Sequence, residues 1–161
     1  MAFQSGQEIE RVWIVDKLPN LNQYKIDHIH KLVHNYVLID GVGELRCSKI
    51  QVMNTGITIL KMAIKSGNGM VRTEIKKKLT PEEYNSLKKV SKASVSKTVI
   101  DIGFAGISVY SGNAKGLITV EVEFPDIKTA KSFIPPKWFG KEVTNDVRYR
   151  AKTIAFNGIP R

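Results

Sequence analysis

The residues best able to do chemistry are acids and bases set two apart in short alternating runs. Glu8 and Glu10 stand in QEIERVWIV, Glu121 and Glu123 in LITVEVEF, and Arg72, Glu74, Lys76 and Lys78 share one parity after Ser66-Gly67-Asn68-Gly69. Residues i and i+2 of a strand face the same way, so each run gathers its charges on one face and its hydrocarbon on the other. The arm before that turn does the same, with Lys61, Ala63 and Lys65 opposite Leu60, Met62 and Ile64; the two arms read as a β-hairpin. Paired carboxylates on one face repel unless a divalent cation, basic neighbours or water offsets them. Faces of long charged groups like these are either solvated outside or line a wet cavity.

Other reactive types give weaker signals. His28, His30, His34 and Tyr36 share a parity, with Ile29, Val33, Val37 and Ile39 opposite. His34 would lie roughly 13 Å along the strand from His30, so the three cannot meet one zinc ion. They read as neutral hydrogen-bonding groups beside a polar cavity, able to titrate near neutral pH. Cys47 reads as a buried thiol, since no base stands near it in sequence.

The elements that must position these groups are mostly strands. Beyond the hairpin, Gln7 to Val15, Ile26 to Asp40, Glu44 to Ile50, Lys97 to Ile102, Gly106 to Tyr110 and Leu117 to Phe124 read as strands, with a turn at Gly41-Val42-Gly43. Thr80, Pro81 and Glu83 mark the start of a helix through a capping box. A short helix is expected from Pro125-Asp126 to about Phe133, and another, capped by Asn145 or Asp146, through Arg148 to Phe156. Met1 to Gly6 reads as a flexible tail and 7–161 as one domain, a fitting length for a single core.

Composition narrows the partners. Lys plus Arg number 25 against 15 Asp plus Glu, which favours an anionic partner such as a nucleotide, nucleic acid or phospholipid. No stretch is long and apolar enough for a membrane helix, so no membrane partner is expected. Without an export signal or a second cysteine, a reducing, cytoplasmic setting is expected. Oligomeric state is not legible. A closed antiparallel barrel accounts for the charged faces if they line a hydrated lumen and the apolar faces lie outward under helices.

This inside-out pattern resembles the CYTH domain, or triphosphate tunnel metalloenzyme, family. The resemblance rests on EIER at Glu8 to Arg11, GELR at Gly43 to Arg46, IKSGNGMVRTE at Ile64 to Glu74, VEVEF at Val120 to Phe124 and FGKEVTNDVRY at Phe139 to Tyr149. It implies an α+β, mainly β fold: an eight-stranded antiparallel tunnel with a charged lumen and a few flanking helices. Implied too are phosphate-binding bases at Arg46, Lys65, Arg72, Lys97 and Lys141, and metal-binding acids at Glu8, Glu10, Glu121 and Glu123, with Glu74 weaker. Parity adds Lys61, Lys76 and Lys78 to the bases.

The departures from the family pattern stand at Val12, Ser48, Val99, Ser108 and Lys76. An ammonium at Lys76 about 6 Å from a magnesium ion would cost roughly 5 kcal/mol where a carboxylate would contribute that much. From this follows the expectation of a degenerate site that binds a nucleotide, triphosphate or nucleotide second messenger with weak or no hydrolysis, by sequestration, and with Mg or Mn not required. The alternative is a Mg- or Mn-dependent triphosphatase acting on nucleoside triphosphates or inorganic polyphosphate. A nucleic-acid surface rests on net charge alone and lacks aromatics interleaved with bases.

Overall fold

The computed structural model describes residues 2–40 and 43–161, so the turn expected at Gly41-Val42-Gly43 lies largely outside the described residues. Eight strands, β1 (Gln4–Ile14), β2 (His28–Asp40), β3 (Gly43–Val52), β4 (Thr58–Ser66), β5 (Val71–Lys78), β6 (Ala93–Asp101), β7 (Gly106–Ser111) and β8 (Ile118–Glu123), alternate with helices α1 (Pro81–Lys89), α2 (Ile127–Ser132) and α3 (Ala151–Asn157). The strands close into an antiparallel barrel in the order β1-β5-β4-β3-β2-β6-β7-β8. No helix among the described residues is long and apolar enough to cross a membrane.

The faces are inverted as the alternation requires. Trp13, Ile107, Val120 and Val122 point outward and pack with Phe139, while the intervening Glu10, Val12 and Glu121 line the interior. On another side Cys47 is covered by Leu79 and Tyr84 of the α1 region. There α1 is fixed by the reciprocal Thr80–Glu83 capping box, a device worth about 1 kcal/mol. Gly140 lets the chain close over β1: its N–H donates to Ile14 O, and a Cβ there would collide with that same carbonyl.

One end of the barrel is closed. Tyr36 is the register partner of Arg46, Val95 of His34 and Tyr110 of Lys97, so these apolar groups share the lumen face with charged ones. Ile154 of α3 joins all three in one buried cluster. The turn between β4 and β5 lies at the same end, and its Gly67 and Gly69 have φ of 98° and 75°, the left-handed region that glycine enters without steric cost.

Three elements differ from expectation. β1 begins at Gln4, inside the segment read as tail, because Gln4, Ser5 and Gly6 pair with Lys76, Ile75 and Glu74. β6 begins at Ala93 rather than Lys97: Ser94 and Ser96 carry no apolar signal, but β2 is long enough to pair them, Tyr36 opposite Ala93. The helix expected from Arg148 is broken. Asp146 caps a single 3-10 turn at Val147–Tyr149, Arg150 is extended (φ −69°, ψ 140°), and α3 starts only at Ala151.

Candidate functional site

The barrel encloses a cavity of about 310 Å³. β3, β4, β5 and β6 bring Arg46, Lys61, Lys65, Arg72, Lys76 and Lys97 to it, and β1 and β8 bring Glu8, Glu10, Glu121 and Glu123. Glu74 and Glu44 stand on the basic side. The strand period thus converts five separate sequence runs into one lumen with opposed walls of charge.

The charges meet in two different ways. Lys65 donates to both oxygens of Glu8 at 2.8 Å and lies 3.7 Å from Glu74, which is also 3.8 Å from Lys76. Burial pushes the Glu8 carboxyl up, but Lys65, with Arg46 and Arg72, brings it net below its ordinary value. Glu10 has no such partner. Burial, then Glu121, with Glu8 and Glu123, pushes its carboxyl up to about 8 against the pull of Lys65. Lys97 donates to Glu121 at 3.3 Å and sits 5.5 Å from the Tyr110 ring centroid.

Deeper in, His34 Nδ1 and Ser48 Oγ are 2.6 Å apart. Burial, reinforced by Arg46, Lys97, Lys65 and Lys61, holds His34 well below the usual imidazole range, so it is neutral at pH 7. Arg72 Nη2 is 3.4 Å from Glu44 Oε2, yet Arg72 Nε and Nη2 and Arg46 Nε make no hydrogen bond. An unmatched buried donor costs about 1–3 kcal/mol, more when charged. These donors are open to a hydrogen-bond acceptor in the lumen.

Two residues expected in the site are not there. Lys78 is exposed at the end of β5; it has the right parity, and its register partner Lys61 lines the cavity, but Lys78 itself does not. Lys141 is exposed outside the barrel, its carbonyl accepting from Ile14 N. Sequence reasoning also left out Glu44, Thr144, Tyr149 and Arg150, all of which line the cavity. Glu44 was legible, since it shares the parity of Arg46 two positions on. Of the departures, Val12 and Val99 line the cavity as apolar patches, Ser48 binds His34, and Ser108 is buried with its hydroxyl unpartnered.

The acidic wall suits a divalent cation in its donor chemistry, all carboxylate oxygen, and in the burial and mutual repulsion that raise Glu10. Among the described residues no three histidine, cysteine, aspartate or glutamate side chains converge closely enough to ring an ion as they stand.

No protein-family model matches the chain. The inorganic triphosphatase of Nitrosomonas europaea is 34% identical over 102 residues, covering 60% of this chain and 68% of that protein. A crystal structure of the inorganic triphosphatase NE1496 superposes with a TM-score of 0.64 at 29% identity, over 95% of this chain and 97% of that one. The PH1012 protein from Pyrococcus horikoshii, 16% identical over 77% of this chain with a TM-score of 0.53, shares the fold.

These relationships overturn the expectation of a protein with little or no hydrolysis, since the relative and the structural neighbour are both triphosphatases. The structure supplies the physical reason. Lys76 is half exposed, with its ammonium at Glu74, and its register partner on β1 is Gln4, six residues from Glu10 and roughly 20 Å along the strand. The ammonium shares the cavity lining with Glu10 and Glu123, but it is held at Glu74 and is open to water, which weakens the postulated clash with a cation by screening. This chain belongs to the family of the inorganic triphosphatase of Nitrosomonas europaea.

Proposed function

We propose that this protein is a triphosphate tunnel enzyme of the CYTH type that hydrolyses inorganic triphosphate inside the barrel. The observation that carries the reading is the opposition of two walls in one lumen: arginines with unmatched donors on one side, and on the other carboxyls buried and crowded enough to push Glu10 up to about 8. A linear triphosphate bears about four negative charges, and Arg46, Lys61, Lys65, Arg72 and Lys97 neutralise and align it through charge-assisted hydrogen bonds. Positioning and electrostatic stabilisation make up most of phosphoryl-transfer catalysis, and both are supplied by this chain's own bases. Glu10, Glu121 and Glu123 would hold a magnesium or manganese ion; when bound, it acts as a Lewis acid on the phosphate oxygens. Lys65 has a second task, since it also fixes Glu8 and keeps that carboxylate turned to the basic wall.

Phosphate release from tripolyphosphate and from ATP, each with magnesium, manganese or chelator, tests this. The expected result is metal-dependent release from tripolyphosphate, exceeding that from ATP and abolished by Glu121→Gln. Recovery of intact tripolyphosphate after incubation with either metal would overturn it.

A further inference from the structure

The segment between the outer wall and α3 roofs one end of the cavity, and Arg150 is the cation it contributes to the lining. The break between the 3-10 turn and α3 leaves Arg150 extended, and its Nη1 donates to Gly67 O in the β4–β5 turn at 3.0 Å. That bond commits one of five guanidinium N–H groups. Close by, Arg72 carries its unmatched Nε and Nη2, and the counter-charge at this end is Glu44, 4% exposed and already 3.4 Å from Arg72. Arg72 and Glu44 also perturb the Arg150 guanidinium, whose pKa burial and Arg72 lower. Arg72, Arg150 and the nearby Lys152 around Glu44, with Glu10 the other acid acting on Arg150, leave an excess positive charge at this end, which is capped by the buried cluster of Tyr36, Val95, Tyr110 and Ile154.

We propose that Arg150 is a substrate-binding residue: with Arg72 it receives the terminal phosphate group of a linear polyphosphate at the end of the tunnel closed by α3. The inference rests on the triphosphatase reading and extends it to orientation and substrate class. A chain seated this way presents an unesterified terminal phosphate to the closed end, so any further phosphate or organic group must extend toward the opposite mouth. Anions lacking a free phosphate terminus are excluded from this arrangement.

The rival account makes Arg150 a strap that ties the C-terminal segment to the Gly67 turn and does nothing else. The two are separated by calorimetric titration of tripolyphosphate in chelator, thermal unfolding with and without that ligand, and steady-state kinetics with magnesium. Arg150→Gln is expected to weaken tripolyphosphate binding about 10- to 100-fold, the range for loss of one charge-assisted anchor. KM should rise in parallel while kcat changes less than about threefold. The unliganded Tm should stay close to wild type while the ligand-induced rise shrinks. Arg150→Lys should recover part of the affinity and serves where the glutamine variant fails to fold. Arg148→Gln, which removes only the surface pair with Asp146, should leave affinity unchanged.

Unchanged affinity in Arg150→Gln with a lowered unliganded Tm would establish the strap and overturn the proposal. That result beside normal wild-type turnover would sink this inference alone. A wild-type protein that neither binds nor hydrolyses tripolyphosphate would sink the functional reading and this inference with it.

Discussion

Glu8 and Glu10 are two residues apart on one strand and face one lumen, yet they are in opposite electrostatic conditions. Glu8, with Glu74, is held by Lys65 at 2.8 and 3.7 Å. Glu10 is more deeply enclosed and faces Glu121 and Glu123, so burial first and their repulsion second push it up to about 8. The difference comes from deeper burial at Glu10 and from the register. Glu8 stands opposite Arg72, in the hydrogen-bonded neighbourhood of the basic strands, whereas Glu10 stands opposite Glu123. Identical side chains have been divided between a structural ion pair and an anionic pole by the strand next to each. The first is complete within the protein, and the second is where the proposed cation would sit.

The largest effect should come from removing the group that defines the balanced half. Lys65→Ala leaves Glu8 and Glu74 facing each other with their shared ammonium gone, and it also strips a base from the phosphate wall. Breaking one partner from a buried pair costs about 3 kcal/mol, and turnover should fall on the order of 100-fold with the lost anchor. Urea denaturation and phosphate release measure the two separately. A change below about 0.5 kcal/mol would mean that Glu8 and Glu74 are solvated and that the two halves do not differ.

Neutralising each glutamate in turn should give opposite signs. Glu8→Gln abandons Lys65 and should destabilise the metal-free protein by about 1–3 kcal/mol. Glu10→Gln removes one of several repelling carboxylates and should stabilise it by about 1–2 kcal/mol near pH 8, where the native carboxyl is substantially ionised. Thermal unfolding in chelator reads both. Shifts of the same sign would erase the distinction, and magnesium should reduce the advantage of Glu10→Gln if the cation sits on the anionic pole.

The basic half has its own acid limit. His34 is kept neutral in the folded protein by burial and by Arg46, Lys97, Lys65 and Lys61. Unfolded, it takes up a proton near pH 6.5, so below that pH the unfolded state binds more protons. Stability is then lost as the pH falls, by about 1.4 kcal/mol per unit once well below 6.5. Between pH 7 and 5, wild type should lose more stability than His34→Asn, which cannot titrate. Superimposable stability curves for the two would show that the imidazole is protonated in place.

How much of this was readable before folding depends on whether the information is local. Alternation is local, so the barrel and its inverted faces were legible from Glu8-x-Glu10, Glu121-x-Glu123 and the Lys61 to Lys78 hairpin. Parity identifies a face but not a depth along the barrel axis. Parity puts Lys78 in the lumen, yet it is exposed and does not line the cavity, while Glu44, with the same kind of signal beside Arg46, does. Lys141 was carried by a motif in a segment that lies against the outside of β1. Arg150 had no periodic signal, because it occupies the extended break between a 3-10 turn and α3. The partner of each charge depends on which strand lies beside which, and that comes from closure of the whole sheet.

The smallest effect, at Lys76, tests whether the two halves are separate. Lys76 is nearly half exposed and 3.8 Å from Glu74, and an exposed pair of this kind contributes about 0–1 kcal/mol. Its register partner Gln4 lies six residues along β1 from Glu10; Lys76 shares a wet lining with Glu123, and that water screens its charge from the acidic wall. Lys76→Ala should therefore change stability by less than about 1 kcal/mol. Lys76→Glu, which places a carboxylate where an ammonium now stands, should alter magnesium-dependent phosphate release by no more than about threefold, less than 1 kcal/mol in the barrier. Release raised tenfold or more by Lys76→Glu would mean that this lysine acts on the cation after all. The balanced and unbalanced carboxylates would then form one continuous site.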